Sequence, residues 1–156
     1  MTKGVALGSL LLIILLVLPS TTIAQPAPGF QYAVKFICGK SASRVLAPGV
    51  YFTAINVHNP TREQVDFRKK VAIALPEEKP GRVSEFFRAR LRPDEALEID
   101  CPDIMRHAQS TDDFLKGFVV IQSRVELDVV AVYTAAGATD RVETLHIERV
   151  PPRPLR

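Results

Sequence analysis

The sequence predicts an all-β domain, an antiparallel β-sandwich of immunoglobulin-like topology, with one short helix near residues 102–116. Three observations carry that prediction. Roughly seven or eight short runs rich in Val, Ile, Phe and Tyr follow one another, each bounded by turn residues. Proline is frequent, 12 in 156 residues, and proline breaks helices while delimiting short strands. The stretch FVVIQSRVELDVVAVYT, Phe118 to Thr134, holds two apolar runs with neither Gly nor Pro between its ends. Being apolar on both faces marks these runs as interior strands. Their spacing suggests a hairpin with a short loop near Ser123-Arg124-Val125-Glu126. A jelly roll is the alternative architecture.

In chain order, residues 1–24 read as a signal peptide. Lys3 precedes a run dominated by Leu, Ile and Val from Val5 to Leu18, and Pro19 ends it. Thr22 and Ala24 then place small residues at signal-peptidase spacing. The run falls short of the roughly 20 residues a bilayer-spanning helix needs. An anchor kept uncleaved is the competing reading of this segment. The expected mature start is Gln25, after export to the periplasm or the exterior. Residues 25–29 form a short leader, and the domain is expected over residues 30–150.

The first strand is expected from Phe30, where Tyr32, Val34, Phe36 and Cys38 alternate with Ala33 and Lys35. Val50–Val57 is a second strand, after the Pro48-Gly49 turn and before Asn59-Pro60. Val65–Leu75 is a third, with Lys69 standing among the inward positions Phe67, Val71 and Ile73. After the charged turn of residues 76–81, Val83–Leu91 reads as one strand. Phe87, Ala89 and Leu91 face inward there, alternating with Arg88, Arg90 and Arg92. Leu97, Ile99 and Cys101 alternate with acids in a shorter strand. Pro102 suits a first helical position and Asp103 a first turn, so a helical turn or two is expected before Lys116. After the interior pair of strands, Val142–Val150 is the last, and residues 151–156 are a Pro-rich tail.

The chemistry in the chain is sparse. Cys38 and Cys101 are the only cysteines and each ends a predicted strand, so in an exported chain they are expected to form a disulfide. His58, His107 and His146 lack the close spacing of zinc ligands, and no metal or cofactor is predicted. Neither a Gly-x-Ser-x-Gly elbow nor a phosphate loop occurs, and no catalytic residue is assigned. With 20 basic and 17 acidic residues, and only Lys3 of them in the first 24, charge gives no reason to expect nucleic acid. Once the signal is cleaved, nothing predicts membrane attachment.

One surface feature stands out. Arg68 and Lys70 share the outward parity of one strand, and Arg88, Arg90 and Arg92 share that of the next. Pairing of the two strands through the turn of residues 76–81 would gather five cations on one face. Such a face could bind an anionic polymer, or it could be a solvated face guarding an edge. Aromatic residues interleaved for stacking are expected to be missing from it.

The motif VVIQSRVELDVVAVYT, with PGVYFTAINVHNP and LRPDEALEIDCPDI upstream, resembles a group of small exported bacterial proteins of β-sandwich type without an established activity. The resemblance covers Tyr32 to about Pro152. It implies a secreted all-β domain and carries over no catalytic residues. The pattern at Phe118–Thr134 alone is also similar to that of sensory rhodopsin transducers, which are soluble β proteins, whereas the export signal argues against that role. The function expected is non-enzymatic binding in the periplasm or outside the cell, with an envelope protein or an anionic polysaccharide as partner. The alternative is a small secreted hydrolase or metal-dependent enzyme using His58 or His107 with a nearby Asp.

Overall fold

The computed structural model describes residues 29–42, 46–137 and 141–155. The predicted signal peptide and the leader up to Pro28 lie outside the described residues. Strand β1 (Phe30–Ser41) has the predicted alternation: Tyr32, Val34, Phe36 and Cys38 are wholly buried, and the residues between them are half-buried. In β2 (Gly49–His58), Thr53, Ile55 and Val57 point inward while Phe52 is exposed. Strand β3 (Val65–Ala74) buries Val65, Phe67 and Val71, and half-buried Lys69 sits in the same inward row.

The predicted strand Val83–Leu91 is two strands, β4 (Pro80–Val83) and β5 (Phe87–Leu91), both paired with β3. Ser84 separates them by taking the place of a ladder partner. Its N–H donates to the Val71 carbonyl at 2.8 Å, and its Oγ accepts the Val71 N–H at 2.9 Å. Strand β6 (Ala96–Ile99) follows, then helix α1 (Cys101–Ala108). Asp100 caps the helix by accepting the Asp103 N–H at 3.0 Å, and Pro102 occupies its first turn. The helix is shorter than the 102–116 expected. Gln109 turns to the left-handed region (φ 51°) and closes it, and Phe114 opens β7 (Phe114–Ser123). Strands β8 (Asp128–Ala136), β9 (Val142–Arg149) and β10 (Arg153–Pro154) complete the chain. The tail thus contributes a short strand, pairing Arg153 and Pro154 with Gln31 and Phe30.

All pairing is antiparallel, in the order β4-β3-β7-β1-β2-β8-β9, with β5 on β3, β6 on β2 and β10 on β1. Strand β1 pairs with β7 from Phe30 to Gly39 but with β2 only over Gly39–Ser41. The sheet therefore folds over at that junction. One layer is β4, β5, β3, β7, β1 and β10; the other is β6, β2, β8 and β9. The inward side chains of both form a single buried cluster, which α1 joins through Cys101, Ile104 and Ala108. The fold class is the predicted one, antiparallel β with one short helix.

The hairpin expected between the two interior strands does not form. Strand β7 lies between β1 and β3, and β8 between β2 and β9, so the chain changes layer across residues 124–127. Both runs are interior strands, but of different layers.

Cys38 and Cys101 form the predicted disulfide, buried and with Cα atoms 5.5 Å apart. Cys101 opens α1 instead of ending a strand, so the bridge pins the helix start to β1. Buried Asn59 ties down the turns at the end of β2. Its Nδ2 donates to the carbonyls of Glu63 (2.8 Å) and Arg92 (2.9 Å), and its Oδ1 accepts the Thr61 N–H at 3.0 Å. A buried amide satisfied on both ends orders the loop before β3 and the turn after β5 together.

Candidate functional site

Cross-strand register builds the outer face of the first layer. Arg88 of β5 lies directly opposite Arg68 of β3, and Arg90 opposite Asp66. Across the β3–β7 pair, Arg68 meets Gln122 and Lys70 meets Val120. Across β7–β1, Gln122 meets Gln31, Phe118 meets Lys35 and Lys116 meets Ile37. Inward positions on these strands are taken by Phe67, Val71, Val119 and Ile121, which are buried, so all of the named polar residues face solvent.

Four of the five predicted cations, Arg68, Lys70, Arg88 and Arg90, are brought together here. The fifth is not. Arg92 lies past the end of β5, where its N–H donates to Glu95 Oε2 at 2.7 Å and its Nε stands 3.8 Å from Glu95 Oε1. The turn at Arg92–Glu95 bends the chain away, and strand parity ceases to place side chains beyond Leu91.

Within the face, charges are held by specific partners. Arg90 forks onto Asp66, with Nε to Oδ1 at 2.7 Å and Nη2 to Oδ2 at 3.4 Å, and that bond raises its pKa further. Arg68 Nε donates to Gln122 Oε1 at 2.9 Å, and Gln122 Nε2 passes the chain on to Gln31 Oε1 at 2.8 Å. A polar ladder thus runs across three strands at the level where Arg88 faces Arg68.

Aromatic residues expected to be missing are present. The Arg68 guanidinium lies 4.3 Å and the Lys70 ammonium 4.7 Å from the Phe86 ring centre. Lys35 stands 5.0 Å from the ring of Phe118, which is 41% exposed. Each such contact is worth about 0.5–1 kcal/mol at an exposed site. Burial, and then the neighbouring Lys116 charge, lower the Lys35 pKa. The sequence signal for Phe118 and Lys116 was the parity of β7, since Gly117, Val119 and Ile121 take the inward row. Phe86 precedes β5 and shares the parity of Arg88 and Arg90, the signal that could have placed it on this face.

The two histidines of the enzyme alternative lie on different elements, β2 and α1, and His58 has a nearby Asp. His58 Nδ1 is 3.3 Å from Asp128 Oδ2 on the neighbouring strand, and Arg149 Nη2 holds the other oxygen of Asp128 at 2.7 Å. His107 lies on α1, its ring 3.9 Å from that of Phe87; burial lowers its pKa, followed by the Lys69 charge. Among the described residues no three His, Cys, Asp or Glu are grouped as metal ligands would be. A cleft of about 190 Å³ is lined by Ile37, Tyr51, Thr53, Tyr133 and His146 among others, and neither His58 nor His107 reaches it.

No family model matches the chain, and neither does any curated protein. A solved crystal structure, Thermotoga maritima 1070, superposes with a TM-score of 0.52 over 80% of this chain and 93% of its own. At 12% identity that likeness is one of fold.

Proposed function

We propose that the protein is an exported, non-enzymatic binding module whose basic outer face takes an anionic polysaccharide of the cell envelope. The observation that carries this reading is the direct opposition of Arg68 and Arg88 across β3 and β5. Like charges directly opposite one another destabilise a strand pair, and an anion seated between them removes the penalty. Lys70, Lys35 and Lys116 extend the positive field along the same face, and Asp66, the acid in these rows, is already taken by Arg90. The exposed ring of Phe118 offers an apolar surface for a sugar ring beside the cations. A buried disulfide fits an oxidising compartment, and the Lys3-to-Ala24 pattern supplies the route to it.

The test is retention on an immobilised anionic polysaccharide across a salt gradient. Wild type is compared with Arg68→Ser/Arg88→Ser, and with a control that removes the same charge elsewhere, Arg62→Ser/Arg82→Ser. The first variant should elute at lower salt than the control, because its cations are the ones that release counterions on binding. Equal elution of the two variants would reduce the face to a generic charge and overturn the proposal.

A further inference from the structure

Strand β9 ends the second layer. Among the described residues only β8 pairs with it, and every residue from Val142 to Arg149 is exposed. Soluble proteins blunt such edges with Pro, charged side chains (above all Lys) or a bulge. VETLHIER contains no Pro or Lys, and its bulge at Glu143 leaves the stretch from Leu145 to Arg149 regularly paired on its other side. Instead Leu145 and Ile147, 60% and 61% exposed, lie opposite Thr134 and Val132 of β8, which in turn lie opposite Phe52 and Ala54 of β2. Two rows of mainly apolar residues therefore run across the outer face of this layer and stop at an open edge.

The order of residues along β9 is what assigns the occupant. About His146 the strand is self-complementary when read against an antiparallel copy of itself. Leu145 meets Ile147 of the second copy, and Glu143 meets Arg149 of the second copy, twice over by symmetry. Leu145, Ile147 and Arg149 share one parity and hence one face, and Glu143, in the bulge between Val142 (opposite Ala136) and Thr144 (opposite Ala135), flanks it. Arg149 already holds Asp128 through Nη2 at 2.7 Å, and its guanidinium has four other N–H groups to offer.

We infer that β9 is a homodimerisation edge, at which two copies pair antiparallel about a two-fold axis through His146. The contact is isologous and closed, so the edge is used up instead of propagating. It joins the second layers of two copies into one sheet and continues the apolar rows across the axis, Phe52–Thr134–Leu145 running into Ile147–Val132–Ala54 of the second copy.

Sedimentation of the protein expressed from its full chain should show a monomer–dimer equilibrium. Glu143→Arg creates two like-charge contacts and should raise the dimer dissociation constant by at least about tenfold. Arg149→Glu alone should do the same. An equimolar mixture of the two variants restores both ion pairs in a heterodimer, and should return association to the wild-type range. Independently, His146→Cys places two thiols face to face, with Cβ atoms about 4.5–5.5 Å apart, and should give an oxidised dimer. Thr144→Cys, which meets Glu148 of the second copy, should not; both native cysteines are paired, so each variant carries a single free thiol. A monomer up to millimolar concentration overturns the inference. So does a dimer indifferent to Glu143→Arg, or variants that fail to rescue each other.

Discussion

Tyr32 Oη is bound twice by a single residue: it donates to the Leu127 carbonyl at 2.9 Å and accepts the Leu127 N–H at 2.7 Å. Both residues are buried. Tyr32 belongs to β1 of the first layer, and Leu127 is the last residue before β8 of the second. One hydroxyl therefore satisfies both backbone groups of the residue at which the chain changes layer, where no ladder is available to do so.

Tyr32→Phe removes that hydroxyl and leaves one buried donor and one buried acceptor without it. The expected loss is about 2–4 kcal/mol, with little change in the ring's packing. Urea denaturation measures it. A variant within about 0.5 kcal/mol of wild type, the range of ordinary surface changes, would show that the tie contributes nothing.

Cys101→Ala opens a bridge spanning 63 positions, worth roughly 4 kcal/mol in the chain-entropy model. It also removes the sulfur that accepts the Thr53 N–H at 3.2 Å. Reduced wild type should lose comparable stability. If the reduced and oxidised proteins melt together, the bridge between β1 and α1 is not a support of the fold.

Gly117 of β7 lies opposite Ile73 of β3. A Cβ there would lie 2.1 Å from the Ala72 carbonyl oxygen, and a backbone atom in a ladder cannot step aside. Gly117→Ala should lower the melting temperature severely, by more than Gly49→Ala, whose added carbon meets the Ala136 oxygen at 3.0 Å. The reverse ranking would mean that β3 and β7 are less closely paired than described.

Lys69 lies in the inward row of β3, and burial lowers its pKa, with Asp103 opposing and Arg106 assisting. A base whose folded pKa falls below the unfolded value of 10.5 favours folding less while charged. Stability from this group is lowest at neutral pH and rises as pH climbs through the folded pKa toward the unfolded one. Lys69→Met keeps the stem and removes the charge, so it should raise the melting temperature at pH 7. A fall would show that the ammonium is usefully partnered.

Tyr133 behaves oppositely at high pH. Burial and then the Glu148 carboxylate push its pKa from 10.0 up to about 12, while its hydroxyl donates to the Lys35 carbonyl at 3.0 Å. An acid raised in the fold stabilises while neutral: its contribution is whole below pH 10 and is lost as pH rises to about 12. Stability should fall over that window, and less steeply in Tyr133→Phe. Parallel curves for the two proteins would remove Tyr133 as the cause.

Strand identity was legible wherever burial alternates. In β1 and β3 the inward rows, including the odd Lys69, follow from period two alone. Pairing was not legible. The short polar link after Ser123 looks like a hairpin loop because such links usually are, and what sends the chain to the other layer is Leu127, an apolar residue held by a tyrosine 95 positions away. The basic face was legible in its parity at Arg68, Lys70, Arg88 and Arg90. Phe86 shares that parity as well, whereas Phe118, Lys116 and Lys35 come from β7 and β1 and join the face only through strand order, which no local pattern encodes.

Phe30 lies opposite Pro154, and the Leu155 N–H donates to the Gly29 carbonyl at 3.0 Å. The chain therefore enters and leaves the sheet at one corner, beside Gln31 and Arg153, where the Gln31–Gln122–Arg68 ladder reaches the rim. Cargo attached beside Gly29 or Leu155 is delivered to the same place, so an acidic affinity tag or dye placed there lies within reach of the cationic rows and competes with the proposed polysaccharide. The turn of residues 76–79, beyond Ala74 at the far end of the strands, is the position from which a reporter can be read without that interference.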